Sequence, residues 1–214
     1  MNKLLIFPSS GNGLEALECV DPNLYECMGF IDDDPEKIGT KQFGLPVFDR
    51  SILTSLDEQT KVLAVIGSYK SFRNRQQIIA SLELKPAQFA TVIHPKAMIS
   101  QNAKIGHNTL IMAGTVITSN AVIGNHCCIL PNCVIHHDST LLEYSIVSSS
   151  VSIAGNCNIG PNAYIGVGST IKDGIQIGEK VLVGSGSNVV KNIASHQTVY
   201  GNPAKPNKTV VLND

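Results

Sequence analysis

Residues 123–171 read IGNHCCILPNCVIHHDSTLLEYSIVSSSVSIAGNCNIGPNAYIGVGSTI, and an aliphatic residue returns every sixth place, as at Ile123, Ile129, Ile135, Leu141 and Val147. The spacing runs outward to Ile93 on one side and Val189 on the other, seventeen hexads without an insertion. Four places after each aliphatic stands a mostly small residue, among them Ala121, Cys127, Cys133, Ser139, Ser145 and Cys157. A period of six fits neither the 3.6 of an amphipathic helix nor the 8–12-residue spacing of a hairpin meander. It fits a parallel β-helix in which each hexad is one short strand plus a corner. Three hexads close a coil, and coils stack about 4.8 Å apart. The 102 residues from Ile93 to Ala194 then build nearly six coils, with aliphatic ladders inside and Cys127, Cys133 and Cys157 as core filler.

The rest of the composition agrees with this economy. The chain has 214 residues, enough for two cores, yet no Trp, 5% aromatic residues and 15% charged ones, where about 25% charged is usual. A hydrophobic share of 43% argues against disorder, and a net charge of −1 against a nucleic-acid partner. No apolar run reaches the roughly 18 residues that span a bilayer. The run from Met1 to Phe7 breaks at Pro8, too short for a signal peptide. A soluble cytoplasmic protein is expected. Cys19, Cys27, Cys127, Cys128, Cys133 and Cys157 include no CxxC pair, so neither a disulfide framework nor a Cys-rich metal site is expected.

Residues 1 to 90 hold 21 of the 33 charges, so the two halves are built differently. Leu4 to Phe7 reads as a buried strand, followed by the glycine-containing turn Ser9-Ser10-Gly11-Asn12-Gly13 and a helix over Leu14 to Val20. Met28 to Ile31 is a second strand, ending in Asp32-Asp33-Asp34, and Val62 to Ile66 a third. Pro46 and the fifties suggest a short strand and helix, and Ser71 to Leu82 a longer helix. Strand, glycine turn, helix, strand and then acidic residues is the order of a dinucleotide fold. The expected organisation is a small Rossmann-like α/β domain over 1–90 for a nucleotide sugar, a β-helix over 91–194 and a C-terminal extension over 195–214.

The hexads resemble those of the hexapeptide-repeat acyltransferases. In order, the two halves are similar to a narrower group, the bacterial sugar O- and N-acyltransferases of the NeuD/PglD type. Gly29-Phe30-Ile31-Asp32-Asp33, Ala64-Val65-Ile66-Gly67, Ile93-His94-Pro95, Ile135-His136-His137-Asp138, Ala154-Gly155 and Gly201-Asn202-Pro203-Ala204-Lys205 carry the likeness. The resemblance implies a left-handed β-helix, a homotrimer with sites between subunits, acetyl-CoA as co-substrate and no metal. It also implies a nucleotide-linked amino sugar as acceptor, of the UDP-4-amino-dideoxy type used for surface glycans. It carries acetyl-CoA contacts to Gly155, Val167 and Ser185, and sugar-nucleotide contacts to Ser10, Gly11, Asn12, Asp32 and Asp33.

Acyl transfer needs a base for the nucleophile's proton, and histidine suits neutral pH. Between Leu84 and Lys172 the only carboxylates are Asp138 and Glu143, and Asp138 directly follows His136-His137. A carboxylate beside an imidazole orients it and raises its basicity. Of the other histidines, His94 precedes a proline, His107 has no nearby carboxylate, His126 reads as an unpartnered corner residue and His196 lies beyond the helix. The family's stretch matches its base to His137 and its activating acid to Asp138. Independently, stacking three hexads to the coil places Gly155 one coil beyond His137, where its N–H would face a developing oxyanion.

The sequence departs from the bacillosamine-type pattern at Asn12, Leu130 and Ile146, where that pattern has His, Asn and His. These changes put the acceptor's identity in doubt more than the reaction. Sugar O-acetylation and a non-catalytic nucleotide-sugar-binding trimer stay open as alternatives. A zinc enzyme of the γ-carbonic-anhydrase kind lacks its His-x4-His pair.

Overall fold

Period-two alternation builds the first unit. The structure, a computed structural model, describes residues 1–207. In β1 (Asn2–Phe7), Leu4 and Ile6 face one side and Leu5 and Phe7 the other, all at most 2% exposed. β1 lies between β2 (Tyr25–Ile31) and β5 (Thr60–Ala64), all three parallel, with β3 (Lys41–Gln42) and β4 (Leu45–Phe48) beyond β2. Both expected helices are shorter than the apolar pattern suggested. α1 covers Asn12–Leu17, and the expected Ser71–Leu82 helix is a 3-10 turn at Phe72–Asn74 followed by α2 (Arg75–Ala80). At their C-terminal ends the amides of Cys19 and Leu82 bond three residues back, to Ala16 and Ile79, so the last turns tighten out of α geometry. A 3-10 helix at Arg50–Ser55 stands where the fifties suggested a helix.

From Val92 the chain winds into two-residue strands that pair three hexads apart, as in Val116↔Val134, Val122↔Thr140 and Cys128↔Ile146. They stack into three sheets of six, five and eight strands around an aliphatic core, all parallel but for the last strand of the eight. The expected ladder is therefore the observed one. Its last rung lies past residue 194: Thr198–Tyr200 pairs with Leu182–Val183, and Val199 takes the inward slot at 1% exposure. That strand turns back on Lys205–Pro206, and residues 208–214 of the expected extension lie outside the described residues.

One outer face of this prism is apolar, and the N-terminal sheet covers it. Leu110, Cys128, Ile146 and Leu182 point outward from the eight-stranded sheet, are at most 6% exposed, and pack with Leu4, Ile6, Phe30 and Leu63. Lys104, Thr170 and Gln176, outward on the other two sheets, are exposed.

The junction corrects the reading of His126. Far from unpartnered, it is 7% exposed, with Nδ1 2.9 Å from Asn108 Nδ2 and its ring stacked on Tyr144 at 4.6 Å. Asn108 accepts from the Ala64 amide at 2.7 Å and donates to the Ala64 carbonyl at 3.0 Å, extending β5 with a side chain. Asn108 thus donates to an unprotonated Nδ1, and burial, then the charges of His107 and Arg75, push His126 down to about 4. His126 is neutral when folded, so below its free value of 6.5 the unfolded chain binds the extra proton. Stability is full above that pH and falls as pH drops toward 4. The expected loss between pH 7.5 and 5 is about 2 kcal/mol from this residue, with His107, also lowered by burial, adding in the same direction. His126→Phe should lose less than wild type over that interval in urea titrations; equal losses would refute the assignment.

Candidate active site

Three clusters emerge, two at corners of the prism and one in the N-terminal unit. The first sits at the corner between the six- and five-stranded sheets. Ile135 points inward, and the turn that follows puts Asp138 at φ 60°, a left-handed corner that Asp and Asn tolerate better than most residues. The turn swings the carboxylate back: Asp138 Oδ2 lies 2.8 Å from His137 Nδ1, and Oδ1 accepts from Asn120 Nδ2 at 3.0 Å. The bonds from His137 and then Asn120 hold Asp138 below the usual carboxylate range. In the neutral ring, Nδ1–H donates to the Asp138 carboxylate and Nε2 is left as an acceptor for whatever approaches.

What Nε2 faces is Gly155, one coil on. A methyl group built on Gly155 would lie 2.7 Å from both Cε1 and Nε2 of His137, so the imidazole packs against the bare Gly155 backbone and any side chain there would push the ring aside. The neighbouring amides are used, Ala154 by Ile171 and Asn156 by His137. Among the described residues the Gly155 amide has no acceptor. Below the site, Ser139 Oγ donates to the Ala154 carbonyl at 2.8 Å and accepts from the Cys157 amide at 3.0 Å, locking the two coils together.

The second cluster is a cavity of about 350 Å³ at the C-terminal ends of β1, β2 and β5, where Ser10, Gly11, Asn12, Asp32 and Asp33 meet Gly67, Ser68 and Ser71. Asp32, the first of three consecutive aspartates, is drawn out of solvent. It is 6% exposed and accepts from the Ser9 amide and hydroxyl at 2.9 and 2.6 Å, the Asp34 amide at 3.0 Å and Lys37 at 3.2 Å. Burial pushes its carboxyl up, but these bonds outweigh it and the net direction is down. Asp33 is held in a two-pronged pair by Arg50, whose guanidinium also lies 5.1 Å from the centre of the Phe7 ring. Both carboxylates therefore shape the cavity's wall.

The third cluster is at the corner between the eight- and six-stranded sheets. Val167 is 49% exposed there, one coil before Ser185, whose neighbour Gly186 donates to the Val167 carbonyl at 2.8 Å. Ser185 lines a groove of about 430 Å³ with Tyr69, Tyr164, Gly184 and Tyr200. The fold thus brings together His137, Asp138 and Gly155, and likewise the expected sugar-nucleotide residues, but it splits the expected coenzyme group: Gly155 lies at the His137 corner and Val167 and Ser185 at another. In a three-faced prism, the His137 corner is opposite the face that carries the N-terminal sheet. Sequence reasoning missed Asn120, one coil before Asp138, although the coil length alone points to it. It also missed Ile146's place: Ile146 is 1% exposed, and its Cδ1 would be 2.6 Å from a methyl group on Gly67, in the cavity wall.

No family model and no curated protein sequence matches the chain. Solved structures do. The acetyltransferase domain of PglB from Neisseria gonorrhoeae, solved with acetyl coenzyme A, is 29% identical, with a TM-score of 0.84 over 97% of this chain and 100% of that one. A mutant GDP-perosamine N-acetyltransferase from Caulobacter crescentus, in complex with CoA and GDP-perosamine, is 25% identical, with a TM-score of 0.85 over 97% of each chain. WeeI from Acinetobacter baumannii is 25% identical, with a TM-score of 0.84 over 97% of this chain and 100% of that one.

Proposed function

We propose that this chain, whose structural neighbours at high coverage are sugar N-acetyltransferases of the hexapeptide-repeat kind, is an acetyl-CoA-dependent N-acetyltransferase of a nucleotide-linked amino sugar. One observation carries the reading at this chain's own site: the Asp138-bound imidazole of His137 aims its Nε2 at Gly155, whose amide has no acceptor among the described residues. His137 takes a proton from the acceptor nitrogen as it attacks the thioester carbonyl. Asp138 keeps the ring's Nδ1 proton in place and favours the imidazolium that forms. The Gly155 N–H meets the oxygen on which charge develops. The C–N bond forms, the C–S bond breaks, and His137 returns its proton to the departing sulfur.

Within this reading, the β1–α1 turn and the walls at Asp32, Asp33 and Gly67 form a Rossmann-like domain that holds the nucleotide, of the UDP-4-amino-dideoxy sugar type on a route to surface glycans. Val167 and Ser185 line the coenzyme's path. One chain separates these groups, so the complete site is assembled between copies of a homotrimer of left-handed β-helices. The half-buried outward side chains Val116, Val122 and Val134, on the two sheets beside the His137 corner, support such packing. Cytoplasmic location goes with these substrates; among the described residues no helix is long and apolar enough to cross a membrane. The test is thiol release from acetyl-CoA against a panel of UDP-, GDP- and dTDP-linked 4-amino sugars. At least one should be turned over with kcat of order 1 s⁻¹ or more; no release with any would sink the proposal.

A further inference from the structure

The corner column that carries His137 and Gly155 continues, one further coil on, to Asp173, which no part of the mechanism above uses. A methyl group on Gly155 would meet His137 Nε2 at 2.7 Å and Asp173 Oδ1 at 3.1 Å. The imidazole and this second carboxylate therefore border the same gap, one from each side. Asp173 is exposed, and its carboxylate has no hydrogen-bond or ion-pair partner among the described residues. Asp138 occupies the far nitrogen of the ring, so Nε2 is an acceptor. The gap thus lies between two acceptors, and nothing in the fold supplies a donor to either.

Resting on the acetyltransferase reading, we infer that Asp173 is a substrate-contacting residue that selects an amine over a hydroxyl acceptor. Both distances run from one point, so the two acceptors lie close enough together for a nitrogen seated between them to reach both within hydrogen-bond distance. An incoming ammonium donates one N–H to His137 Nε2 and another to the Asp173 carboxylate, a charge-assisted bond. A sugar hydroxyl has one proton and satisfies only one of the two, leaving the other acceptor without its partner, which a site built for two donors rejects. The proton bookkeeping agrees. The ammonium releases one proton through His137 to solvent before attack, and the second N–H proton passes by His137 to the coenzyme sulfur after the C–N bond forms. Asp173 takes no proton and acts by holding the cation.

The experiment is calorimetric titration of the full-length wild type and Asp173→Asn with the best-bound 4-amino sugar nucleotide of the panel and with its 4-hydroxy counterpart, alongside initial rates. Wild type should prefer the amine at least tenfold. D173N should lose most of that preference and raise the acceptor KM about tenfold, while the acetyl-CoA KM and the melting temperature stay put. Asp173→Glu should restore part of the preference, which a purely structural role would not produce. The inference falls if wild type binds amine and hydroxyl alike, or if D173N keeps the wild-type preference. If the preference is present and lost in D173N while wild type turns over no acetyl-CoA, the Asp173 assignment stands and the transferase reading fails.

Discussion

His137→Ala is expected to lower kcat by 10² to 10⁴, the range for removing a positioned general base, while leaving the acetyl-CoA KM within about threefold. The ring's side chain is 54% exposed and its one strong bond is to Asp138, so the coil does not depend on it. The melting temperature should barely move. Asp138→Asn should cost less, about tenfold, because an amide oxygen in the same place still accepts the Nδ1 proton but no longer favours the imidazolium. Initial rates on whichever amino sugar the panel identifies decide it. An H137A enzyme working at the wild-type rate would remove His137 from the chemistry and leave Asp138 as an ordinary left-handed corner residue.

The β-helix was legible because its ladder imposes the same demand every six residues, and seventeen repetitions outweigh local exceptions such as Ile175 or Val181 in small-residue slots. His137, Asp138 and Gly155 were legible for a related reason. Once three hexads close a coil, positions one coil apart are neighbours, and the pairing of Ile135 with Ile153 sets the observed one. The same arithmetic reaches Asn120 from Asp138 and Asp173 from Gly155, so those two were within reach of the sequence.

The junction was not. Whether an outward Cys128 or Ile146 is a surface residue or a buried one depends on which face the other half of the chain covers, and no periodicity encodes that. The stacking partners of His126, Asn108 and Tyr144, lie one coil to either side and were within reach of the same arithmetic, but Phe89 and Ala64, which close over the pair, are found only by docking. Asp32 is the analogous case in the first domain. A run of three aspartates before a proline has the composition of a solvated turn, yet four donors draw its first member inside.

Arg75 is where the docking concentrates, and Arg75→Ala is expected to cost about 3–5 kcal/mol, lowering the melting temperature by roughly 10 °C. The side chain is 0% exposed and makes no ion pair with a carboxylate among the described residues. Its guanidinium instead donates to the carbonyls of Ile66 and His126, the latter at 2.7 and 3.2 Å, and to Cys128 Sγ at 3.2 Å. Two effects oppose each other on truncation. Removing a desolvated charge relieves a burial penalty, but alanine leaves a large void and strips the donors from the buried His126 carbonyl and the part-buried Ile66 carbonyl. The second effect should win, because the charge is already spread over carbonyl dipoles while the His126 carbonyl has no water to turn to. Arg75→Met separates the terms: it fills much of the void, so only the carbonyl loss of about 2 kcal/mol should remain. Urea titrations of the three proteins would show the ordering, and an R75A protein as stable as wild type would contradict it. The functional consequence follows from position. The Ile66 carbonyl belongs to the wall of the 350 Å³ cavity, and a methyl group on Gly67 beside it would sit 2.6 Å from Ile146 and 3.3 Å from Arg75. Because Arg75 joins that wall to the β-helix, R75M should weaken the nucleotide sugar far more than acetyl-CoA.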